Sequence, residues 1–290
     1  METRDLSPVD FPERIRRLKD PPQHLTVAGD IEPKGARRIA FVGARRAHAE
    51  SKAFATSLAS ACAEQGAIIV SGGALGIDTA SHGGAMSVGG RTWAVLGTGK
   101  DHCFPPENEE LFARISAAPG CAIFWPFESS RKAMSQNFLA RNRILIALAD
   151  LVVVIQAQEA SGSRNAARLA RESKKEVWVV PGPPWLSGFS GSFSEIAAGA
   201  KTLWSQEVFL SAIFGPPRDG EPRKKKPIVD RTPEETALLD AATTRPEHID
   251  ELCELAGLSP PSAATALLTL ALEHVLVEGP PGYYRKEETK

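Results

Sequence analysis

The sequence predicts an α/β fold, a doubly wound and mostly parallel sheet, followed by a small winged-helix domain. Three observations carry this. From Arg38 to about residue 180, short and nearly continuous apolar runs alternate with helix-length segments, the pattern of parallel strands buried on both faces. Small-residue, glycine-bearing turns recur just past the ends of those runs. After residue 231, three short helical segments precede two strand-like runs, the order of a winged helix-turn-helix.

Residues 1–35 are charged, bear prolines and show weak periodicity, and are expected to form an N-terminal extension that wraps the next domain. Within 36–214, strands are predicted over 39–42, 67–70, 92–96, 121–125, 151–156 and 177–180. Helices are predicted between them over 49–64, 77–88, 109–117, 138–148 and 163–172. Such alternation argues for one doubly wound sheet. Residues 215–231 break the pattern with prolines and the tetrad Arg223-Lys224-Lys225-Lys226. They read as a basic linker, either a solvated tether or a supplementary phosphate contact. In 232–290, helices are predicted over 233–242, 248–255 and 260–273, with Ser259 as N-cap and Pro260 at the first helical position of the third. Runs 275–278 and 283–285 flank Gly279-Pro280-Pro281-Gly282 as a wing. The third helix contains no Lys or Arg, whereas base-edge readers present such side chains there. Protein docking or a structural role is therefore favoured over duplex reading.

Composition narrows the function. Lys and Arg number 34 against 35 Asp and Glu, a net charge of −1, so any nucleic-acid surface is local. Four cysteines without Cys-x-x-Cys spacing, and no signal peptide ahead of them, read as reduced and mostly buried thiols of a cytoplasmic protein. The histidines are scattered and call for no metal. The longest apolar run, 144–155, is interrupted by Asp150 and is too short to span a bilayer.

The strand-end motifs point to phosphate. Gly43-Ala44-Arg45, Ser71-Gly72-Gly73, Gly97-Thr98-Gly99, Ser161-Gly162-Ser163 and Pro181-Gly182 all fall on one carboxyl edge, where open α/β sheets bind ligands. Gly72, Gly73 and Gly76 let an anion approach the backbone at a helix start, where unpaired N–H groups and the helix dipole favour it. Arg141-Asn142-Arg143 is a second phosphate-type cluster. Its two arginines diverge on a helix, so one can face the phosphate site while the other pairs with an acid. Phe138 is either core or a stacking surface for a base. Asp78 and His82, four apart, are either an acid–base pair or, as favoured, a structural pair that holds the turn. A dinucleotide fingerprint is absent, because the third glycine falls at His102. No Walker pattern or Gly-x-Ser-x-Gly elbow occurs.

In order and spacing these motifs resemble the DNA-processing protein A (DprA/Smf) family over residues 38–212. The matching stretches are Val42-Gly43-Ala44-Arg45, Ser71 to Asp78, Ser81 to Ala85, Ala94 to Asp101, Phe104-Pro105-Pro106-Glu107-Asn108, Phe138 to Arg143, Ser161-Gly162-Ser163 and Val180-Pro181-Gly182. The tail resembles the winged-helix domain of many members. The resemblance implies an extended Rossmann-like fold that binds single-stranded DNA and dimerises. It also implies loading of the RecA recombinase during natural transformation and DNA uptake, without catalysis and without a cofactor. It would place Gly43, Arg45, Ser71, Gly72, Gly73, Gly76, Arg141, Asn142, Arg143, Ser161, Gly162 and Ser163 at the DNA, and Phe138 beside a base. Residues 192–203 would form the dimer contact, with Ile196 and Leu203. There are departures. Ser135 stands where the family often has Lys, and Arg164 replaces an apolar residue, which would add a phosphate contact. The rival readings are an enzyme of the LOG phosphoribohydrolase type, whose catalytic glutamate is missing from 160–168, and a sensor of a nucleotide signal.

Overall fold

In the computed structural model of this protein, residues 2–31, 35–216, 232–272, 275–279 and 282–286 are described. The basic tetrad of the linker, Glu273 at the end of the third predicted tail helix, and Pro280-Pro281 of the wing turn lie outside the described residues. The chain falls into two units, Met1–Asp219 and Gly220–Lys290.

The first unit runs β1 (Arg4–Asp5), α1 (Glu13–Arg16), β2 (Thr26–Gly29), β3 (Arg38–Gly43), α2 (Ala49–Glu64), β4 (Ile68–Ser71), α3 (Ile77–Ser87), β5 (Arg91–Val95) and α4 (Glu109–Ala117). It continues with β6 (Ala122–Trp125), α5 (Ser135–Leu148), β7 (Leu151–Ile155), α6 (Gly162–Glu172), β8 (Glu176–Val179), α7 (Ser190–Ala197), β9 (Lys201–Thr202) and α8 (Gln206–Phe214). Its strands form one mixed sheet in the order β1-β2-β6-β5-β4-β3-β7-β8-β9. All pairings are parallel except β1 with β2 and β2 with β6.

Strand alternation builds a core on each face. Ala40 and Val42 of β3 join Val70, Val95, Val152 and Val154 on one face, against Ile144, Leu145 and Leu148 of α5 and Ala166, Ala167 and Ala170 of α6. Ile39 and Phe41 join Ile69, Val153 and Ile155 on the other, against Leu58 and Cys62 of α2, Ile77 of α3 and Phe209 of α8. Strand order reverses at β3. The chain leaves β3 towards β4 and leaves β7 towards β8, on opposite sides, so the loops after these two adjacent strands part and open a crevice.

The N-terminal stretch takes a larger part in the sheet than its weak periodicity indicates. Thr26, Val27, Ala28 and Gly29 pair with Trp125, Phe124, Ile123 and Ala122, and Phe11 and Ile15 are buried. Four residues without a clear two-residue alternation carry too little pattern to be read as a strand. In the same way α7, β9 and α8 lie beyond the last predicted strand. Cys62, Cys121 and Cys253 are buried free thiols and Cys103 is exposed. Among the described residues, no helix is long and apolar enough to cross a membrane.

The second unit comprises α9 (Pro233–Ala241), β10 (Glu247–His248), α10 (Ile249–Ala256), α11 (Pro260–Leu272), β11 (Leu276–Glu278) and β12 (Tyr283–Lys286), with an antiparallel sheet ordered β10-β12-β11. Thr232 and Glu235 form a reciprocal capping box that starts α9. Gly257 ends α10 in the left-handed conformation. Leu238, Leu252, Leu267, Leu270 and Leu276 make the small core. This is a winged helix.

Candidate functional site

The crevice at the β3/β7 reversal widens into a cleft of about 820 Å³. The loop after β3 brings Gly43, Ala44, Arg45 and Arg46 to it. The start of α6 brings Ser161, Gly162 and Ser163, and α5 crosses it with Phe138, Leu139, Arg141 and Asn142. Helical spacing puts Phe138, Arg141 and Asn142 on one face of α5. Asn142 Nδ2 donates to Gly162 O at 3.1 Å and Asn165 Oδ1 at 3.2 Å, which fastens α5 to the first turn of α6. Ser161 caps that turn through the Arg164 N–H at 3.4 Å. The lining residues include three arginines and one acid, Asp78.

Arg45 and Arg141 hold their charge in different ways. Arg45 is exposed and lays its guanidinium over the Phe138 ring, 4.7 Å from the centroid. Arg141 is 5% exposed. It donates to Val95 O, and its Nε finds no hydrogen-bond partner. Burial lowers its pKa to about 10, with Asp78 opposing that shift and Arg45 adding to it, so it stays charged at neutral pH. Burial raises the pKa of Asp78, while Arg141 and the Ala74 N–H hold it down. Asp78 Oδ2 accepts from Ala74 N at 3.1 Å and so closes the glycine turn. Gly72 leaves room for both side chains. A Cβ there would lie 2.2 Å from Arg141 Nη1 and 2.6 Å from Asp78 Oδ2.

His82 lies on α3, one turn after Asp78 and fully buried. Thr92 Oγ1 donates to Ile69 O at 2.8 Å. His82 Nδ1, 2.7 Å from the same oxygen, must therefore be the protonated nitrogen that donates to it. Nε2 is left buried without a partner. Burial first, and the Arg141 charge second, push the imidazole pKa down to about 3. A neutral, enclosed histidine is a structural group, not a proton donor to a ligand.

The residues singled out from the sequence divide by location. Gly43, Arg45, Phe138, Arg141, Asn142, Ser161, Gly162 and Ser163 line the cleft. Ser71, Gly72, Gly73 and Gly76 do not. They back it, with Ser71 Oγ donating to Phe41 O at 2.7 Å and the α-carbon of Gly76 against the backbone of Ala44 and Arg45. Arg143 turns to the other side of α5, ion-paired to Asp20 at 2.9 Å, beside a smaller cavity of about 270 Å³. Arg164, expected as an extra phosphate contact, is instead held by two carboxylates, Glu159 and the buried Glu195, the latter at 2.8 Å. Leu203, expected at a dimer contact, is 1% exposed and belongs to the core of its own chain, because β9 buries its neighbour against β8 and α8. Ile196 is half-buried. The sequence reading missed Arg46, Leu139 and Asn165. Arg46 was detectable as the second cation of the same strand-end loop.

A Rossmann-like sheet with an arginine-lined cleft at its carboxyl edge, followed by a winged helix, defines a class of two-domain α/β proteins. The family model for DNA recombination-mediator protein A matches residues 5–214, and the DprA winged-helix model matches residues 222–280. The chain belongs to this DprA/Smf family. It is 34% identical to DNA processing protein DprA of Bacillus subtilis over 73% of this chain and 71% of that one. It is 30% identical to Protein Smf of Escherichia coli over 95% and 75%. It spans about half (52%) of the length of a third relative, Protein Smf of Synechocystis, at 32% identity over 70% of this chain. Two solved structures are similar. One shows the single-stranded DNA binding mode of DNA processing protein A from Helicobacter pylori (TM-score 0.65, 31% identity, 73% of this chain and 96% of that one). The other is DprA from Streptococcus pneumoniae (TM-score 0.66, 29% identity, 72% and 74%).

Proposed function

We propose that this protein binds single-stranded DNA in the β3/β7 cleft without altering it chemically, and loads it with a RecA-type recombinase during natural transformation and DNA uptake. It does so as a homodimer in the cytoplasm. The observation that carries this reading is the charge and shape of the cleft. Three arginines meet one buried carboxylate, beside an aromatic ring and the first turn of α6. Guanidinium groups and helix-start amides neutralise phosphates, and apolar side chains accept splayed bases. A near-neutral chain then draws its affinity from one concentrated groove, and pairing two grooves in a dimer raises it further. The relative from Helicobacter pylori, which binds single-stranded DNA, supports the choice of ligand. The exposed Phe193, three residues before Ile196 on α7, gives the proposed dimer contact an apolar surface without Leu203.

The test is fluorescence anisotropy with single- and double-stranded oligonucleotides over a range of salt. With about four phosphates contacted, the log–log salt slope for the single strand is near −3. Arg45→Ala weakens binding and makes that slope shallower by about 0.7. A flat salt titration, or wild-type affinity in Arg45→Ala, refutes the assignment.

A further inference from the structure

Among the described residues, two that are not glycine adopt a positive φ, Gln156 at 54° and Lys174 at 56°. Lys174 follows the C-cap of α6, where a left-handed residue is ordinary. Gln156 ends no helix. It is the first residue after β7, at the strand reversal that opens the cleft, and it is 2% exposed. A long side chain is disfavoured in that conformation and persists there only where its surroundings hold it.

What holds it is the loop that carries Arg45 and Arg46. The Gln156 carbonyl accepts from Ala44 N at 2.9 Å, and its side-chain Oε1 accepts from His48 N at 2.8 Å. One residue thus grips both ends of the loop 44–48. Arg45 and Arg46, between the two grips, are exposed and line the cleft. A backbone N–H only donates, so the amide oxygen of Gln156 must face His48. Its Nε2 is then turned to the loop after β8, where a Cβ on Gly188 would lie 2.8 Å away. The same loop holds His48 from the far side. The His48 Nε2 is 3.1 Å from Ser187 O, and its ring stacks on Phe189 with centroids 5.9 Å apart. We propose that Gln156 is the positioning residue for Arg45 and Arg46. It keeps their loop ordered before a strand arrives, which removes an ordering cost that binding would otherwise bear. This rests on the single-strand-binding reading of the cleft.

Anisotropy titrations of labelled oligo-dT with the full chain test the assignment. Gln156→Met keeps the volume, removes the acceptor and loses roughly tenfold in affinity. Gln156→Glu keeps an acceptor for the His48 N–H and binds within about threefold of wild type. In the weaker-binding Arg45→Ala/Arg46→Ala background, Gln156→Met causes no further loss, whereas a residue that only stabilised the fold would cost the same factor in both backgrounds. His48→Pro removes the same hydrogen bond from the donor side, and the φ of His48, −59°, suits proline. It binds roughly tenfold more weakly than His48→Ala, and this comparison decides the case if Gln156→Met does not fold. The proposal is overturned, and the cleft reading left standing, by wild-type affinity in Gln156→Met or by Gln156→Glu as weak as Gln156→Met. An equal loss with and without the two arginines, or equal affinity in His48→Pro and His48→Ala, overturns it as well. Failure of the wild-type protein to bind oligo-dT removes both.

Discussion

His82 ties the stability of the α/β unit to pH. The imidazole is neutral in the fold with a pKa near 3 and ordinary, about 6.5, once unfolded. Between those values the unfolded chain binds the extra proton. Stability from this group is therefore fully present above the unfolded value and is lost as pH falls towards 3. From pH 7 to pH 5 the loss is about 2 kcal/mol from this residue alone, taking about 1.4 kcal/mol per pH unit below 6.5. The readout is favourable because all five tryptophans of the chain (residues 93, 125, 178, 185 and 204) fall in the first unit. Urea denaturation followed by tryptophan emission thus reports that unit and not the winged helix. His82→Gln removes the titrating group and keeps a neutral amide for the Thr92 hydroxyl. It is expected to be less stable at pH 7 but to lose about 2 kcal/mol less than wild type between pH 7 and pH 5. Parallel losses in the two proteins would refute the buried, neutral histidine.

Gly72→Ala forces a methyl group into the space of Arg141 and Asp78 and is expected to cost about 1–3 kcal/mol, read by the same denaturation, with single-strand affinity falling as Arg141 is displaced. Arg164→Ala leaves single-strand affinity and salt slope at wild-type values, because its guanidinium is committed to Glu159 and Glu195; an anisotropy titration checks this. Lys175 donates to the carbonyls of Ile146, Ala147 and Ala149 at the end of α5, so Lys175→Met is expected to cost about 2 kcal/mol, measured by urea denaturation.

The α/β pattern was legible wherever burial on both faces writes a continuous apolar run. The strand predicted over 39–42 and the helix predicted over 49–64 lie within one residue of β3 and on α2 as observed. The winged helix was legible because Ser259-Pro260 marks the start of its third helix, observed from Pro260, and two strand-like runs follow that helix. Thr26–Gly29 was not, since a strand of four residues has neither length nor alternation. In the cleft, the strand-end loops announced Arg45 and Ser161–Ser163. The sequence could not assign a direction to each arginine. Arg141 and Arg143 are two residues apart on α5 and diverge by geometry, but only the fold shows that Asp20 takes Arg143 and that Arg141 goes under Gly72. Arg164 was misread for a related reason. Its partner Glu195 is 31 positions away, and no local pattern signals a long-range ion pair.

The pairing of Thr26–Gly29 with β6 gives the beginning of the chain a protective task. Without that strand, the main-chain donors and acceptors along Ala122–Trp125 would lie open at the sheet margin, a template for adhesion between molecules. A shortened protein starting near residue 36 would retain every cleft arginine and still be prone to clump. Amino-terminal trimming would thus be felt first in solubility, before any change in how the trimmed protein handles its ligand.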